Sequence, residues 1–202
     1  MVNFHKFSKN SHHARAWALF GQLSLLAGIA ISTMVLPQFA FSGGGISNYG
    51  AQHQTVYFFS AGFVLAALGA LVGSYLLYFC DHHHARFIAK SKIILALLYL
   101  LVLSSSYFYQ QSASLKLMHQ IISATLFLYM TLLGVYLSLN MPKSFLNRLL
   151  LISLIVTAVI GVLTFLGFVH LLFIGEVIMG MLFGLILIRY LGLIHPTVNQ
   201  DY

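Results

Sequence analysis

The chain has 202 residues, of which 60% are hydrophobic and only 6% are charged. Soluble domains carry about 25% charged residues, so this composition excludes a water-soluble globule. On a soluble protein the formal net charge of +7 would suit a nucleic-acid partner. Here the positive residues lie between long hydrophobic segments, where they act as topology signals and contact anionic lipids. We therefore expect membrane lipids as partners and no nucleic acid.

The apolar residues fall in six runs of about 20, the length at which an α-helix crosses a hydrocarbon core of about 30 Å. Strands of a β-barrel would instead alternate in polarity over about ten residues. The sequence thus predicts an all-α fold, a polytopic integral membrane bundle of six transmembrane helices that forms a single domain over residues 1–202. The predicted helices cover about residues 15–36, 56–79, 93–109, 117–139, 149–168 and 171–191.

The longest connection between predicted helices runs from Gln38 to Thr55, after Pro37 ends the first helix. Three successive glycines at positions 43–45 permit positive φ and a close approach of backbones. We therefore expect Ser42–Gly50 to fold back against the mouth of the bundle, where Ser47 and Asn48 could meet His119. His53 lies in the same loop.

The next connection contains Asp81 followed by His82, His83 and His84. This run resembles a metal site, but adjacent histidines on a helix point in different directions, whereas zinc ligands converge on one point. We interpret the run as a solvated loop at the level of the lipid headgroups. The sequence indicates no metal site and no cofactor, and the single cysteine, Cys80, excludes an intramolecular disulfide.

Basic residues predict the orientation of the bundle, because the cytoplasmic loops of membrane proteins carry an excess of Lys and Arg. If both termini are cytoplasmic, only Lys116 faces the outside. The residues that then face the cytoplasm are Lys6, Lys9, Arg15, Arg86, Lys90, Lys92, Lys143, Arg148 and Arg189. We expect a multi-pass protein of the cell membrane with cytoplasmic N- and C-termini, and with no Lys or Arg inside its hydrophobic spans.

Small residues at four-residue spacing predict where the helices pack, because such residues let backbones approach closely in lipid. The sixth predicted helix carries the pair Gly180 and Gly184. The first two helices carry longer stripes, formed by Ser24, Gly28 and Ser32, and by Gly62, Ala66, Ala70 and Ser74.

Glu176 is the only acidic residue inside a predicted span. An ionisable group within a membrane is costly, and such residues are functional by default. Because Glu176 shares a helix face with Gly180 and Gly184, we expect its carboxyl to point into the bundle. Two interpretations stay open: a functional site group, or a protonated structural carboxyl that hydrogen-bonds a neighbouring helix.

Two histidines lie at predicted helix ends on the outer side. His119 begins the fourth predicted helix, where it shares a face with Ser123, and His170 precedes the sixth. For an interfacial histidine alone, a position without a role is the commoner case. The outer side also holds the other unexplained polar groups, which favours a site there. The candidate ligand-binding residues are Ser47, Asn48, His119 and Glu176, with His53 and His170 as weaker candidates.

The order of several motifs resembles a known family. After Pro37 comes the segment Gly45-Ile46-Ser47-Asn48-Tyr49-Gly50, and then a glycine-rich second helix. His119 begins the fourth helix, with Phe127 after it. Glu176 lies early in the sixth helix. Over nearly the whole chain this pattern resembles the six-helix prokaryotic family catalogued as domain of unknown function 998. That family is related to a eukaryotic group that includes a GPI-anchor remodelling factor and autophagy-linked membrane proteins. The resemblance implies the six-helix topology and a link to lipids. Asn48 stands where the pattern has an acid, so acid-dependent chemistry at that point is not implied.

Three functions fit these features. The first is binding or remodelling of lipid at the outer leaflet, with Ser and His side chains as nucleophile and base or as ligands for a headgroup. The second is a non-catalytic subunit or scaffold of a larger membrane complex, which short loops and small-residue seams suit equally well. The third and least favoured is a redox protein that holds haem between His119 and His170, which requires both imidazoles at one depth. The sequence leaves open whether the protein is an enzyme.

Overall fold

Long helices make up most of the protein. The computed structural model describes residues 4–41, 45–78 and 83–193, and these ranges contain helices and connections but no β-strand. The helices are α1 (Phe4–Val35), α2 (Gln38–Phe41), a 3-10 helix (Ile46–Ala51), α3 (Val56–Tyr78), α4 (His83–Ser106), α5 (Ala113–Leu139), α6 (Phe145–Phe165) and α7 (Leu172–Leu193).

Six of these helices, α1 and α3 to α7, are long and apolar enough to cross a membrane. The prediction of an all-α, six-helix polytopic bundle is therefore confirmed. Consecutive spanning helices run in opposite directions, so their connections alternate between two sides. We call distal the side with the connections 36–55, 107–112 and 166–171, and terminal the side from which α1 starts and at which α7 ends.

Several helices extend beyond the predicted boundaries. Helix α1 begins at Phe4 and α4 at His83, earlier than the predicted starts near residues 15 and 93. Polar and basic turns continue these helices past their apolar runs, so hydropathy marks only part of each helix. His83 and His84 begin α4 rather than lie in a loop. The rest of the predicted metal-like run, Asp81 and His82, lies outside the described residues, as does Cys80.

Helices α1 and α3 are in backbone contact along a seam of glycines. A Cβ on Gly28 would lie 2.6 Å from the Phe58 carbonyl oxygen, and one on Gly69 would lie 2.6 Å from that of Trp17. Gly62 lies opposite Gly28, with 3.0 Å between its Cα and the position of that Cβ. Neither helix could carry a larger residue at these points without moving apart, as the small-residue stripes predict.

Helix α7 packs against α1 through a polar contact. The Gln22 side-chain amide donates a hydrogen bond to the Gly180 carbonyl oxygen, with 2.7 Å between the atoms. The same side chain lies against Gly184, where a Cβ would come within 2.5 Å of it. The Gly180/Gly184 stripe therefore faces the interior of the bundle, as predicted, and Glu176 lies one turn farther toward the distal side.

Lys92 contradicts the prediction that the spans contain no Lys or Arg. It lies in α4 within the span His84–Ser106 and is only 1% exposed. Its ammonium lies directly against Gly73 of α3, and within the described part of the chain Nζ has no hydrogen-bond partner. The absence of a side chain at Gly73 gives the lysine stem its space, which a hydropathy pattern does not reveal.

We predict that Lys92→Met is at least as stable as the wild type in thermal unfolding of the detergent-solubilised protein. Methionine has a similar shape and removes a buried amino group that has no hydrogen-bond partner among the residues that the structure describes. A buried polar group without a hydrogen-bond partner costs about 1–3 kcal/mol, and an apolar side chain removes this cost. The control is Lys90→Met, because Lys90 lies on the same helix but is exposed. If Lys92→Met loses stability and Lys90→Met does not, the Lys92 amino group has a stabilising partner and the prediction is wrong.

Candidate functional site

A cavity of about 790 Å³ lies between α5, α6 and α7 on the distal side. Its α5 wall is formed by residues spaced three and four apart, which is a single face of the helix. This face runs for about 22 Å along the helix axis and changes from polar at the distal end to mainly apolar farther in. The residues of the α5 face are Lys116, His119, Gln120, Ser123, Ala124, Phe127, Leu128 and Thr131.

Glu176 joins α7 to the segment that follows α1. Its carboxyl accepts a hydrogen bond from the backbone N–H of Ile46, with 2.7 Å between the atoms. Gly45 lies against the same carboxyl, since a Cβ there would be 2.7 and 3.0 Å from its two oxygens. Gly45 has φ −83° and ψ 177°, an extended backbone that any residue adopts. The backbone conformation would allow a side chain at position 45, but its Cβ would displace the Glu176 carboxyl. The prediction that Glu176 points into the protein is confirmed.

The 3-10 helix that starts at Ile46 is packed into the distal mouth of the bundle. Tyr49 is fully buried, and its ring meets the rings of Phe39 and Phe173 edge-on, each at 6.0 Å between centroids. The Thr55 hydroxyl donates to the Tyr49 carbonyl oxygen at 2.8 Å. The predicted return of this loop to the bundle mouth is confirmed for residues 45–51, whereas Ser42 to Gly44 lie outside the described residues.

Tyr109, in the connection between α4 and α5, links Asn48 to His119. Its hydroxyl donates a hydrogen bond to Asn48 Oδ1, and its ring lies 5.0 Å from that of His119 at an angle of 31°. Burial raises the pKa of Tyr109, a hydrogen bond from Gln110 lowers it, and the charge of Glu176 raises it, with a net increase. The phenol is therefore protonated at neutral pH and can donate to Asn48.

His119 is held from both sides by serine hydroxyls. It is 5% exposed, with Nδ1 at 2.7 Å from Ser105 Oγ of α4 and Nε2 at 3.3 Å from Ser123 Oγ, one turn along α5. Ser105 in turn donates to the Val102 carbonyl oxygen at 3.1 Å. The imidazole is thus fixed in orientation at the wall of the cavity.

The structure brings the four main candidates together around one cavity, which Ser47, Asn48, His119 and Glu176 all line. The two weaker candidates, His53 and His170, are exposed on the distal side and do not line it. Sequence reasoning missed Tyr109, Gln120 and Ser105 as parts of the site. The polar positions 116, 119, 120 and 123 on one face of α5 were a signal that could have revealed the α5 wall.

A second, smaller cavity of about 50 Å³ lies on the other side of Ser123 and Glu176, toward α1 and α4. Most of its walls are apolar, but Ser47, Ser123 and Glu176 line both cavities. By volume this space has room for water, and Ser47, Ser123 and Glu176 are the polar groups that such a water would meet. Within residues 4–41, 45–78 and 83–193 there is no group of three or more His, Cys, Asp or Glu side chains that could hold a metal ion.

The fold and the cavity define the class of this protein, a multi-pass helical membrane protein with an amphipathic cavity at one end of its bundle. No family model matches the chain, and neither a curated protein nor a solved structure matches it. The resemblance to domain of unknown function 998 accordingly stays a prediction, based on the motifs that carry it.

We predict that Glu176→Gln keeps the 45–51 segment ordered and that Glu176→Leu does not. Glutamine retains a side-chain oxygen for the Ile46 N–H, whereas leucine leaves this donor without a partner, at a cost of about 1–3 kcal/mol. Hydrogen exchange of the peptide that contains Ile46 should accelerate only in Glu176→Leu.

A second pair of variants tests the same contact from the other side. Gly45→Ala should push the carboxyl away from Ile46 and accelerate exchange, whereas Gly175→Ala should not, because a Cβ at Gly175 meets no atom within 4 Å. Wild-type exchange rates in both Glu176→Leu and Gly45→Ala would show that the contact does not hold the segment.

Proposed function

We propose that the protein binds a membrane lipid in the cavity between α5, α6 and α7. The observation that carries this proposal is the polarity gradient along the cavity, with Lys116, His119 and Ser123 at the distal end and Phe127 and Leu128 farther in. A lipid has the same gradient along its length, from a charged headgroup through ester linkages to acyl chains. A volume of about 790 Å³ lies in the range of cavities that enclose small-molecule ligands.

The polar end suits a phosphate-containing headgroup. Lys116 is exposed at the rim and is a cation that can pair with phosphate. Asn48 uses its side-chain oxygen for Tyr109, which leaves its amide N–H groups as donors. Glu176 uses one carboxyl oxygen for Ile46, so the other oxygen is a potential acceptor for a hydroxyl or ammonium group of the ligand.

The apolar end is accessible from the bilayer. Leu128 of α5 is 57% exposed, and Val162 of α6, beside the Gly161 that the Phe127 ring contacts, is 56% exposed. These residues line the cavity and also lie on the outside of the bundle. An acyl chain could therefore enter sideways from the membrane while its headgroup stays at the distal surface.

We further propose that the distal side faces out of the cell and that the protein resides in the cell membrane with cytoplasmic termini. The support is the asymmetry of basic residues, since of all ten Lys and Arg only Lys116 lies on the distal side of the six-helix topology. The bound lipid would then come from the outer leaflet.

A role as a subunit of a larger membrane complex is the second candidate. Helix α6 favours it, because Asn147, Leu154 and Thr157 are its only buried residues. Its remaining apolar surface could face lipid or another membrane subunit.

Lipid binding is tested by filling the cavity. Gly175 lines it, and a side chain at this position enters open space. Native mass spectrometry of the gently purified wild type should show a bound lipid, which Gly175→Phe should lose at least tenfold. The control is Ile174→Phe, which adds the same ring at an exposed neighbouring position. Equal lipid occupancy in all three proteins, or no bound lipid in the wild type, would contradict the proposal.

Orientation is tested by labelling with a membrane-impermeant maleimide in a Cys80→Ser background. His53→Cys lies in the distal connection and Lys143→Cys on the terminal side, and both positions are exposed. On intact cells we expect labelling at position 53 only, and at both positions after permeabilisation. Labelling of intact cells at position 143 but not at position 53 would reverse the orientation.

A further inference from the structure

Ser105 Oγ lies within hydrogen-bond distance of two groups, the Val102 carbonyl oxygen at 3.1 Å and His119 Nδ1 at 2.7 Å. A carbonyl oxygen can only accept, so a Ser105 hydrogen directed to Val102 makes Oγ the acceptor toward Nδ1. We assign the proton of His119 to Nδ1 on this pairing. In the neutral imidazole, Nε2 then has a free lone pair, and it is Nε2 that faces the Ser123 hydroxyl at 3.3 Å.

This is the arrangement of an activated nucleophile: a hydroxyl within reach of a base that is oriented by a third group. Distances between catalytic groups are often longer without substrate than with it. The Tyr109 ring at 5.0 Å packs against the imidazole and restricts its movement. The Ser123 side chain lines the large cavity, where a bound lipid would lie.

The position of Ser123 along the cavity matches the ester region of a lipid. It lies seven residues after Lys116, which is about 10 Å along the helix axis, and before Phe127 and Leu128. A lipid with its phosphate at Lys116 and its chain beside Phe127 would place an ester linkage near Ser123. Resting on the lipid binding proposed above, we infer that Ser123 and His119 hydrolyse a carboxylic ester of the bound lipid.

The first half of the reaction transfers the acyl group to the protein. The Ser123 oxygen forms a bond to the carbonyl carbon of the ester as His119 Nε2 takes the hydroxyl proton. The bond from that carbon to the alcohol oxygen then breaks, and Nε2 gives the proton to the departing alcohol. The amide N–H groups of Asn48 are donors on the cavity wall that can stabilise the negative charge on the carbonyl oxygen.

The second half requires water and restores the protein. Water attacks the acyl-Ser123 ester, His119 takes one proton from it, and this proton returns to the Ser123 oxygen as the carboxylic acid leaves. The small cavity of about 50 Å³ adjoins Ser123 on the side away from the lipid and has room for this water. Ser105 acts through His119 and is a positioning residue.

The test uses the full-length protein in lipid nanodiscs and an alkyl fluorophosphonate, which phosphonylates activated serines. We expect an adduct on Ser123 in the wild type, located by peptide mass spectrometry, and unchanged labelling in Ser114→Ala, an exposed serine of the same helix. His119→Gln should slow labelling by about 10²- to 10⁴-fold, the usual contribution of a general base. Ser105→Ala should slow it less, and Ser105→Thr should restore it.

The lipids that remain bound give a second readout, which does not depend on the probe. Ser123→Ala should retain intact ester lipid, whereas the wild type should carry the carboxylic acid or the deacylated lipid. Absence of an adduct on Ser123, or labelling of His119→Gln at the wild-type rate, overturns the ester hydrolysis. If lipid is nevertheless bound in the wild type and lost in Gly175→Phe, lipid binding stands without catalysis. If no lipid is bound at all, the proposed function itself fails.

Discussion

The contact of Glu176 with the backbone at Gly45 and Ile46 is the constraint on which the distal site depends. A carboxyl inside an apolar helix needs hydrogen-bond donors, because hydrocarbon supplies none. Here the donor is the Ile46 N–H, and Gly45 lets the backbone come close enough to provide it. This contact fixes the segment that carries Ser47 and Asn48. Asn48 in turn accepts the hydrogen bond from Tyr109, whose ring packs on the imidazole of His119. One carboxyl thereby organises groups from two separate connections of the chain and from helix α5.

The cavity exists because the two halves of the bundle pack differently. Helices α1 and α3 meet backbone to backbone along their glycine seam, and α4 closes against them, with 56% of its most apolar stretch buried. In α6 only 17% of the most apolar stretch is buried. The Phe127 ring of α5 lies against Gly161 of α6, so a large side chain stands between these helices where α1 and α3 have glycine on both sides. The tightly packed half holds the polar groups in position, and the loosely packed half leaves space for a ligand.

Much of the fold could be predicted from the sequence, since long apolar runs have one stable solution in a bilayer. The helix boundaries were less accurate, because a basic turn such as that around Lys90 stays helical after it leaves the apolar run. Hydropathy also places Lys92 outside the spans, because a charged residue lowers the average and the space that Gly73 leaves for it is not visible in the sequence. Hydropathy averages over a window, whereas this burial depends on a single glycine of another helix.

The candidate site was partly predictable as well. Glu176 was recognisable because it is the only acid in a span, and His119 because it begins a helix on the same side. Ser105 and Tyr109 could not be identified as its partners, since their proximity to His119 arises only when α4 and α5 pack together. The contact between His119 and Ser105, which orients the imidazole, is a property of that packing and of no local sequence pattern.

The central claim is that a lipid occupies the cavity, and photo-crosslinking tests it most directly. The protein would be placed in nanodiscs with a phospholipid that carries a diazirine in its acyl chain, and the labelled residues would be mapped by peptide mass spectrometry. If the cavity holds lipid, adducts should concentrate on the α5 face around Phe127 and Thr131 and on the facing residue Val162 of α6. Adducts spread evenly over exposed residues of other helices, such as Leu23 of α1 and Leu68 of α3, would show that lipid only surrounds the bundle and would contradict the claim.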